Sequence, residues 1–287
     1  MGLIKQGINK EMSNEDYHGD REYVSSSGLK LMFKNPREFH AQYVLGDFSN
    51  SPSGASLDFG SYIHSLILEP HLTDSEFAIY EGNRRQGKVW EEFKVKNMDK
   101  TILLRMQANK AANLMEKYNA AKIIIDHPER GTEEVPISSF FVDGAAEETF
   151  GAEIDGVKVK VRTDYRKEWE KFGSINDVKT TSEDSLSIEN IEKICARWSY
   201  DISAALYCDV LEIVTGKPHD FYFLFISTNS GKMEIVKASK QMLENGRRKY
   251  REAIRRLKIA RTTGVYFENK IHEVKCPEWD VYDPENN

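Results

Sequence analysis

Hydrophobic positions in the first half of the chain recur at the spacing typical of α-helices. After the polar residues 1–24, three serines at 25–27 precede apolar positions, and a serine hydroxyl at that place can cap a helix. Asn35-Pro36 interrupts this helix, and Pro70 ends a second one. The pattern predicts an N-terminal arm (1–24), a helix from residue 29 that resumes at 37–45, a loop at 49–56, and helices at 57–68 and 101–122.

The second half of the chain alternates apolar and polar residues, which is typical of β-strands. Residues 149–154 and 157–163 flank Asp155-Gly156, a dipeptide that favours a two-residue hairpin turn. Within residues 157–162 valine alternates with lysine or arginine, so one face of this strand is predicted to be buried and the other basic. Further strands are predicted at 123–125, 174–180, 221–227 and 232–238, and helices at 187–198, 200–215 and 239–260.

This order of elements predicts an α/β protein with a helical N-terminal half. At 287 residues and 40% hydrophobic composition, we expect a single domain over residues 1–287. Its mostly helical part would span 25–122, and its sheet-containing core and C-terminal helix would span 123–287.

Charge and cysteine content narrow the classes of function. The net charge of −6 argues against a surface that is basic throughout, but it allows a local basic channel. The three cysteines lack zinc-site spacing, and their low, odd number suggests a reducing compartment. No apolar run reaches membrane-span or signal-peptide character, so we expect a cytoplasmic protein.

Candidate chemistry lies on two strands that follow each other. Asp177 and Lys179 are two residues apart on one strand and therefore point the same way, and Asp164 closes the basic strand before it. Magnesium prefers one or two carboxylates with further oxygen donors. Asp164, Asp177 and the carbonyl of Val178 are predicted metal ligands, and Lys179 the cation that orients an attacking water. The alternative interpretation is that Asp164 and Asp177 are loop-edge aspartates and Lys179 is a solvated strand residue.

Four motifs occur in a fixed order: Val24-Ser-Ser-Ser-Gly-Leu-Lys30 with Asn35-Pro36, Phe59-Gly-Ser-Tyr-Ile-His-Ser-Leu-Ile-Leu-Glu-Pro70, Lys158-Val-Lys-Val-Arg-Thr-Asp164 and Ile175-Asn-Asp-Val-Lys-Thr-Thr181. In this order they resemble the exonuclease VIII (RecE-type) family of the PD-(D/E)XK nuclease superfamily, which is related to lambda exonuclease. The resemblance implies a restriction-endonuclease-like core with a mixed central sheet flanked by helices.

The resemblance also implies roles for residues outside the two strands. His64 matches the family's helix histidine beside the metals, one turn after Gly60. The acid on the first hairpin strand matches Glu148 best, with Glu147 and Glu153 as alternatives. The implied catalytic residues are His64, Glu148, Asp164, Asp177 and Lys179, and the first four of these would also be metal ligands with Val178.

Residues that would contact DNA follow from the same resemblance. Ser27 matches a hydroxyl that holds a 5′ phosphate near a helix N-terminus, with Arg21 as a weaker basic partner, although Ser27 could equally be a plain helix cap. Tyr200 and Tyr207 match contacts on the helix after the catalytic strand, but Ser203 stands where the family has glutamine.

A separate basic and aromatic patch suggests a further DNA contact. Arg84, Arg85 and Lys88 lie close to Trp90, and such a combination suits a nucleic-acid strand. The alternative interpretation is a charge run that simply faces water.

The resemblance implies a Mg²⁺-dependent 5′→3′ exonuclease on double-stranded DNA ends, with Mn²⁺ as a substitute ion. It further implies a ring-shaped homo-oligomer, a trimer or tetramer, and a single-strand annealing protein as partner. Other hypotheses stay open: a related nuclease of different polarity or substrate, either a single-strand exonuclease or an endonuclease, and a non-catalytic DNA-binding protein of nuclease descent.

Overall fold

The computed structural model describes residues 3–10, 12–51, 54–127, 131–268, 271, 273, 274 and 276. The strands are β1 (Gly7–Asn9), β2 (Val24–Ser25), β3 (Phe77–Tyr80), β4 (Thr101–Leu104), β5 (Lys122–His127), β6 (Gly131–Pro136), β7 (Ala145–Ile154), β8 (Val157–Glu168), β9 (Gly173–Thr181), β10 (His219–Ser227) and β11 (Met233–Lys237). The α-helices are α1 (Asn14–Gly19), α2 (Ser26–Lys34), α3 (Pro36–Phe39), α4 (Ala55–Leu68), α5 (Thr73–Glu76), α6 (Lys88–Lys96), α7 (Arg105–Ala120), α8 (Ile188–Trp198), α9 (Tyr200–Thr215) and α10 (Lys240–Thr263). A π-helical turn (His40–Leu45) and a 3₁₀ turn (Ile137–Phe141) complete them.

The central sheet is mixed. Its strands follow the order β1-β7-β8-β9-β10-β11, and β2 adds to β8. The strand β8 is antiparallel to both of its neighbours β7 and β9, β9 and β10 are parallel, and β11 returns antiparallel to β10. Two small sheets, β3–β4 and β5–β6, lie apart from it. The predicted α/β class with a mixed central sheet is therefore confirmed.

The β7–β8 hairpin closes with the predicted two-residue turn. Asp155 and Gly156 have φ angles of 51° and 76°, the left-handed values that a type I′ turn requires at both central positions. This turn fixes the register, which is the same from Ile154 opposite Val157 to Ala145 opposite Arg166, with Glu147 the one position of β7 that is not paired along the way. The strand β8 continues to Glu168, so Asp164 lies inside the strand and not at its end as predicted.

The outer edge of β8 is shared by two strands, because β7 occupies its other edge. Near its start β8 pairs with β2, at Val24 opposite Val159, and near its end it pairs with β9, at Tyr165 opposite Asn176. Between these contacts β9 leaves β8 and follows β10 as far as Thr181. A fork in the sheet therefore opens at the level of Asp164.

Helices cover both faces of the sheet and bury two apolar cores. On one face α2, α9 and α10 pack over Phe221, Phe223 and Phe225 of β10. On the other face α4 and α7 pack over Leu224 and Ile226. Within the described residues no helix has both the length and the apolarity needed to cross a bilayer.

The predicted helix at 101–122 is shorter than expected. Residues 101–104 form β4, which pairs parallel with β3, and the helix α7 begins at Arg105. Isoleucine and leucine at these positions fit a strand as well as a helix, and the partner strand β3 decides between them. The loop predicted at 49–56 is only partly described, since residues 52 and 53 lie outside the described part, and α4 already begins at Ala55.

The predicted N-terminal arm packs on the sheet. The strand β1 extends the sheet beside β7, and the ammonium of Lys160 donates to the backbone carbonyls of Tyr17 and Asp20. Arg162 donates to the carbonyl of Met12 over a distance of 2.7 Å. The basic face of β8 thus holds this segment in place and is not a free surface for DNA.

The packing of α10 on α9 depends on Gly246. A Cβ atom at this position would lie 1.9 Å from the backbone oxygen of Asp201, a distance that no rotamer change can relieve. We expect Gly246→Ala to lower the free energy of unfolding by at least about 3 kcal/mol, measured by urea denaturation. Gly19→Ala is the matched control, because nothing lies within 4 Å of its added Cβ. Equal stability of the two variants would contradict this packing.

Candidate active site

Three acidic residues lie at one level of three neighbouring strands. Ala146 pairs with Tyr165 and Glu148 with Thr163, which places Glu147 directly opposite Asp164. The pairing of Tyr165 with Asn176 likewise places Asp177 opposite Asp164 if the register is continued by one residue. Residues directly opposite each other across strands project to the same side. The sheet therefore brings these acids together at the fork.

His64 reaches the same place from the helix α4. This helix lies close to β9 because Gly60 has no side chain, and a Cβ there would lie 2.9 Å from the hydroxyl of Thr180. The histidine Nε2 atom is 2.6 Å from Oδ2 of Asp164, and Nδ1 is 3.6 Å from Oε1 of Glu147. One ligand atom from each of these three side chains lies within 4.8 Å of the other two.

The fork orients Asp164. Where β9 departs from β8, the backbone N–H of Val178 has no carbonyl partner on β8, and it donates to Oδ2 of Asp164 over 2.7 Å. This oxygen is thus held by a backbone amide and by the His64 ring at the same time. Its side chain is 14% exposed, so the carboxylate is fixed but reachable.

Asp177 and Lys179 form an ion pair on the next strand. The distance between Oδ2 of Asp177 and Nζ of Lys179 is 2.5 Å, and Nζ also donates to the carbonyl of Val178 over 3.3 Å. The aspartate is only 6% exposed, whereas the lysine is 24% exposed. The prediction that they share a face holds, but Asp177 lies outside the tight group of His64, Glu147 and Asp164.

The crowding of acids perturbs their pKa values. Burial, and next the charge of Asp164, raise the pKa of Glu147 to about 7 and that of Asp177 to about 6. For Asp164 burial acts in the same direction, but the charges of His64 and Lys179 outweigh it and lower the pKa. Burial opposes the charged form of His64, yet Asp164 and Glu147 raise its pKa. Two of the three acids thus have raised pKa values although the cations His64 and Lys179 lie beside them.

This donor set fits a hard divalent cation. The carboxylates of Glu147 and Asp164 supply the oxygen atoms that Mg²⁺, Mn²⁺ and Ca²⁺ prefer, whereas the carbonyl of Val178 lies 3.3 Å from Nζ of Lys179. A cation between Glu147 and Asp164 would offset the burial of the Glu147 carboxylate and its repulsion by Asp164, which together raise the pKa of Glu147. The ligand atoms allow a metal site at His64, Glu147 and Asp164, without deciding which ion it takes.

The structure places Glu147, and not Glu148, beside Asp164. Glu148 does not reach His64, because its carboxylate accepts a hydrogen bond from Nε of Arg166 at 2.7 Å, and Glu147 takes the place beside Asp164 instead. Glu153, the other alternative, lies opposite Lys158 near the hairpin turn. The register gives the reason, since Glu147 and not Glu148 stands opposite Asp164, and Glu147 adopts a left-handed φ of 51° there.

The two neighbouring glutamates offer a matched pair of variants. We expect Glu147→Gln to weaken divalent-metal binding by about 10- to 100-fold, because it removes a negative ligand from the cluster. Glu148→Gln should leave metal binding unchanged and lower stability by about 1–3 kcal/mol, since Arg166 loses a partly buried ion-pair partner. Calorimetric titration with Mn²⁺ and thermal unfolding measure both effects. A larger metal-binding defect in Glu148→Gln would contradict the assignment.

The residues predicted to hold a 5′ phosphate lie near the start of α2. Ser25 caps this helix, and its hydroxyl lies 2.9 Å from that of Ser27 and 3.0 Å from that of Tyr43. Ser27 is exposed and is not the cap. Arg21 donates to the carbonyl of Gln42 over 2.8 Å, so its guanidinium is partly engaged. The position of Tyr43 in this cluster was not predicted, because the residue comes from the π-helical turn and its sequence carries no local signal for the contact.

The two tyrosines of α9 have different surroundings. Tyr200 stacks on Phe223, and the ammonium of Lys179 lies 5.4 Å from the centre of its ring. Tyr207 packs edge-on against Phe221 and hydrogen bonds with Ser26. Tyr200 is thus part of the site around Lys179, whereas Tyr207 supports the start of α2.

The basic and aromatic patch is not arranged as predicted. Trp90 is buried against Tyr80, with ring centres 5.1 Å apart, and cannot stack on a base. Arg85 donates to the carbonyl of Ile102, and Lys88 lies 3.9 Å from Glu92 in an exposed pair. Exposed Arg84 belongs to the same loop and helix start. The charged residues remain at the surface, but the prediction that Trp90 is available to DNA in this patch is wrong.

Two comparisons with known proteins found a match to this chain. Residues 25–266 match the family described as "PDDEXK-like domain of unknown function (DUF3799)". The fold is similar to the crystal structure of a protein from Eubacterium rectale named "Putative exonuclease", with a TM-score of 0.61 and 15% sequence identity over 95% of this chain and 98% of that chain. At this identity the likeness shows a shared fold. No curated protein matches the sequence.

Proposed function

Since this chain belongs to the family of the PDDEXK-like domain, we propose that it is a Mg²⁺-dependent deoxyribonuclease that hydrolyses one strand of double-stranded DNA from its end. Mn²⁺ would substitute for Mg²⁺. The observation that carries the proposal is the cluster at the sheet fork, where Glu147 and Asp164 face His64 and the Asp177–Lys179 pair lies on the adjoining strand.

The residues at the fork would have different roles in phosphodiester hydrolysis. Glu147 and Asp164 would hold the ion, with His64 and the Val178 carbonyl beside them. When bound, the ion would neutralise charge on the non-bridging phosphate oxygens and would lower the pKa of a water molecule. A third carboxylate, Asp177, keeps the ammonium of Lys179 charged and in place.

Lys179 acts on the reacting groups directly in this proposal. Its pKa is raised: burial opposes the charge, but Asp177 and Asp164 outweigh burial, so Nζ remains an ammonium and donates hydrogen bonds. It orients the attacking water and stabilises the charge that develops on phosphorus oxygens. The water oxygen bonds to phosphorus and gives up a proton to solvent, while the bond from phosphorus to the 3′ oxygen breaks and the 3′ oxygen takes up a proton from solvent.

The proposed polarity is 5′→3′. The hydroxyls of Ser25, Ser27 and Tyr43 form a cluster at the start of α2, where a terminal phosphate could accept hydrogen bonds. Arg21 would add charge if it released the carbonyl of Gln42. The resemblance to exonuclease VIII supports this end preference.

The wider setting is proposed on the resemblance alone. A ring-shaped homo-oligomer, a trimer or tetramer, would encircle the duplex, and a single-strand annealing protein would receive the strand that remains. The cytoplasm, where both would meet DNA, stays the expected location.

The test uses blunt duplexes labelled at either the 5′ or the 3′ terminus, with Mg²⁺ or with EDTA. We expect loss of duplex only with Mg²⁺, with early release of the 5′ label as a mononucleotide. Early release of the 3′ label would reverse the polarity, and cleavage of a circular substrate would indicate an endonuclease. Binding without any Mg²⁺-dependent degradation would contradict the enzyme and favour a DNA-binding protein.

A further inference from the structure

Lys30 is an ammonium group beside the proposed catalytic lysine. It lies on α2, and its Nζ atom is 5.1 Å from the ring centre of Tyr200, the same ring over which Lys179 lies at 5.4 Å. Throughout the described ranges, Nζ of Lys30 makes neither a hydrogen bond nor an ion pair. Two cations thus share one tyrosine ring, and only Lys179 has an acidic partner.

The nearby acids are already engaged. Asp177 pairs with Lys179, and Asp201 pairs with Lys249 at 2.6 Å and accepts from Asn245 at 2.7 Å. Burial, and next the charge of Lys179, lower the pKa of Lys30 to about 8, so the group is still mostly charged at neutral pH. A partly buried ammonium without a counter-charge is unfavourable by itself. A bound anion would remove this cost.

The position of Lys30 on its helix shows where such an anion would lie. Ser27 is three residues earlier and Lys34 four residues later, so all three side chains share one face of α2. Ser27 belongs to the hydroxyl cluster with Ser25, and Lys34 donates to the carbonyl of Arg197 at the end of α8. Lys30 therefore shares a helix face with the hydroxyl of Ser27 and a tyrosine ring with Lys179.

We propose that Lys30 binds a backbone phosphate of the DNA strand held for cleavage, adjacent to the phosphodiester that faces Lys179. The inference rests on the proposed nuclease function and adds a residue to its substrate contacts. The role is substrate binding through charge, and it differs from that of Lys179 because Lys30 has no carboxylate to fix it toward the reacting water.

Lys30→Met, Lys30→Arg and Lys34→Met separate this role from a structural one. Affinity for a fluorescent duplex is measured in EDTA over a series of salt concentrations, and KM and kcat are measured with Mg²⁺. We expect Lys30→Met to weaken binding and raise KM by about tenfold, with a smaller effect on kcat. The slope of log affinity against log salt should become shallower by about 0.9, the value for one phosphate contact.

The other two variants keep the inference falsifiable. Lys30→Arg retains the charge and should keep the wild-type salt slope, and Lys34→Met, which changes a lysine of the same helix face, should also keep it. An unchanged slope in Lys30→Met, or an equal loss in Lys30→Arg, would overturn the inference while wild-type degradation of DNA still supports the nuclease. If the wild type neither binds nor degrades DNA, the proposed function fails and Lys30 loses its ligand with it.

Discussion

Asp164→Asn is expected to lower Mg²⁺-dependent degradation of duplex DNA by at least about 10³-fold. The substitution keeps the shape of the side chain but removes the charge that Glu147 and His64 surround. It also replaces a carboxylate oxygen that accepts from the backbone N–H of Val178 and lies 2.6 Å from His64. Initial rates on an end-labelled duplex with Mg²⁺ in excess measure the loss.

Asp155→Asn is the matched control for this change. It makes the same substitution on the same hairpin, at the turn, where asparagine before glycine also favours type I′ geometry. We expect wild-type rates and wild-type stability for this control. Activity of Asp164→Asn within tenfold of the control would be inconsistent with a metal ligand at position 164.

Lys179→Met is expected to lower kcat by about 10²- to 10³-fold while KM changes little. The ammonium is proposed to act on the developing charge and the attacking water, so its loss affects the transition state more than the bound substrate. Mn²⁺ binding should persist, because Glu147 and Asp164 keep their places. Single-turnover kinetics and calorimetric titration distinguish the two effects.

A second strand lysine serves as the control for that variant. Lys237 on β11 pairs with Asp220 at 2.7 Å, which resembles the Asp177–Lys179 pair, but it lies on the edge strand of the sheet and is 52% exposed. Lys237→Met should leave kcat unchanged. If Lys179→Met instead raised KM and left kcat unchanged, Lys179 would only bind the substrate.

The sequence alone predicted the β7–β8 hairpin and the strand β9 that follows it. Asp155-Gly156 permits left-handed backbone at two successive positions, and this local property determines the turn. The match to the PDDEXK-like family confirms the superfamily part of the resemblance, whereas membership of the exonuclease VIII branch stays a prediction. Strong local signals therefore predicted the fold class.

The acid beside Asp164 could also have been found from the sequence. Once the two-residue turn is accepted, counting back along both strands places residue 147, not 148, opposite 164. Choosing Glu148 from the resemblance ignored this register. Placing Glu147 beside Asp164 needs only the rule that opposite residues share a side of the sheet.

Other features have no local signal. The fork depends on β2 and β9 sharing one edge of β8, which joins residues far apart in the chain. Lys160 reads as an exposed basic residue, yet carbonyls more than a hundred residues away bury it. Trp90 beside basic residues suggests a DNA contact, yet the side chain packs against Tyr80. Such contacts follow from tertiary packing, which periodicity does not encode.

The location of a bound metal ion tests the central claim most directly. Crystals soaked in Mn²⁺ and measured near the manganese absorption edge would show the ion by its anomalous scattering. The account predicts a peak between the carboxylates of Glu147 and Asp164, with Lys179 on the adjoining strand. A fully soaked crystal with no peak at the fork, or with its only ordered manganese elsewhere, would contradict it.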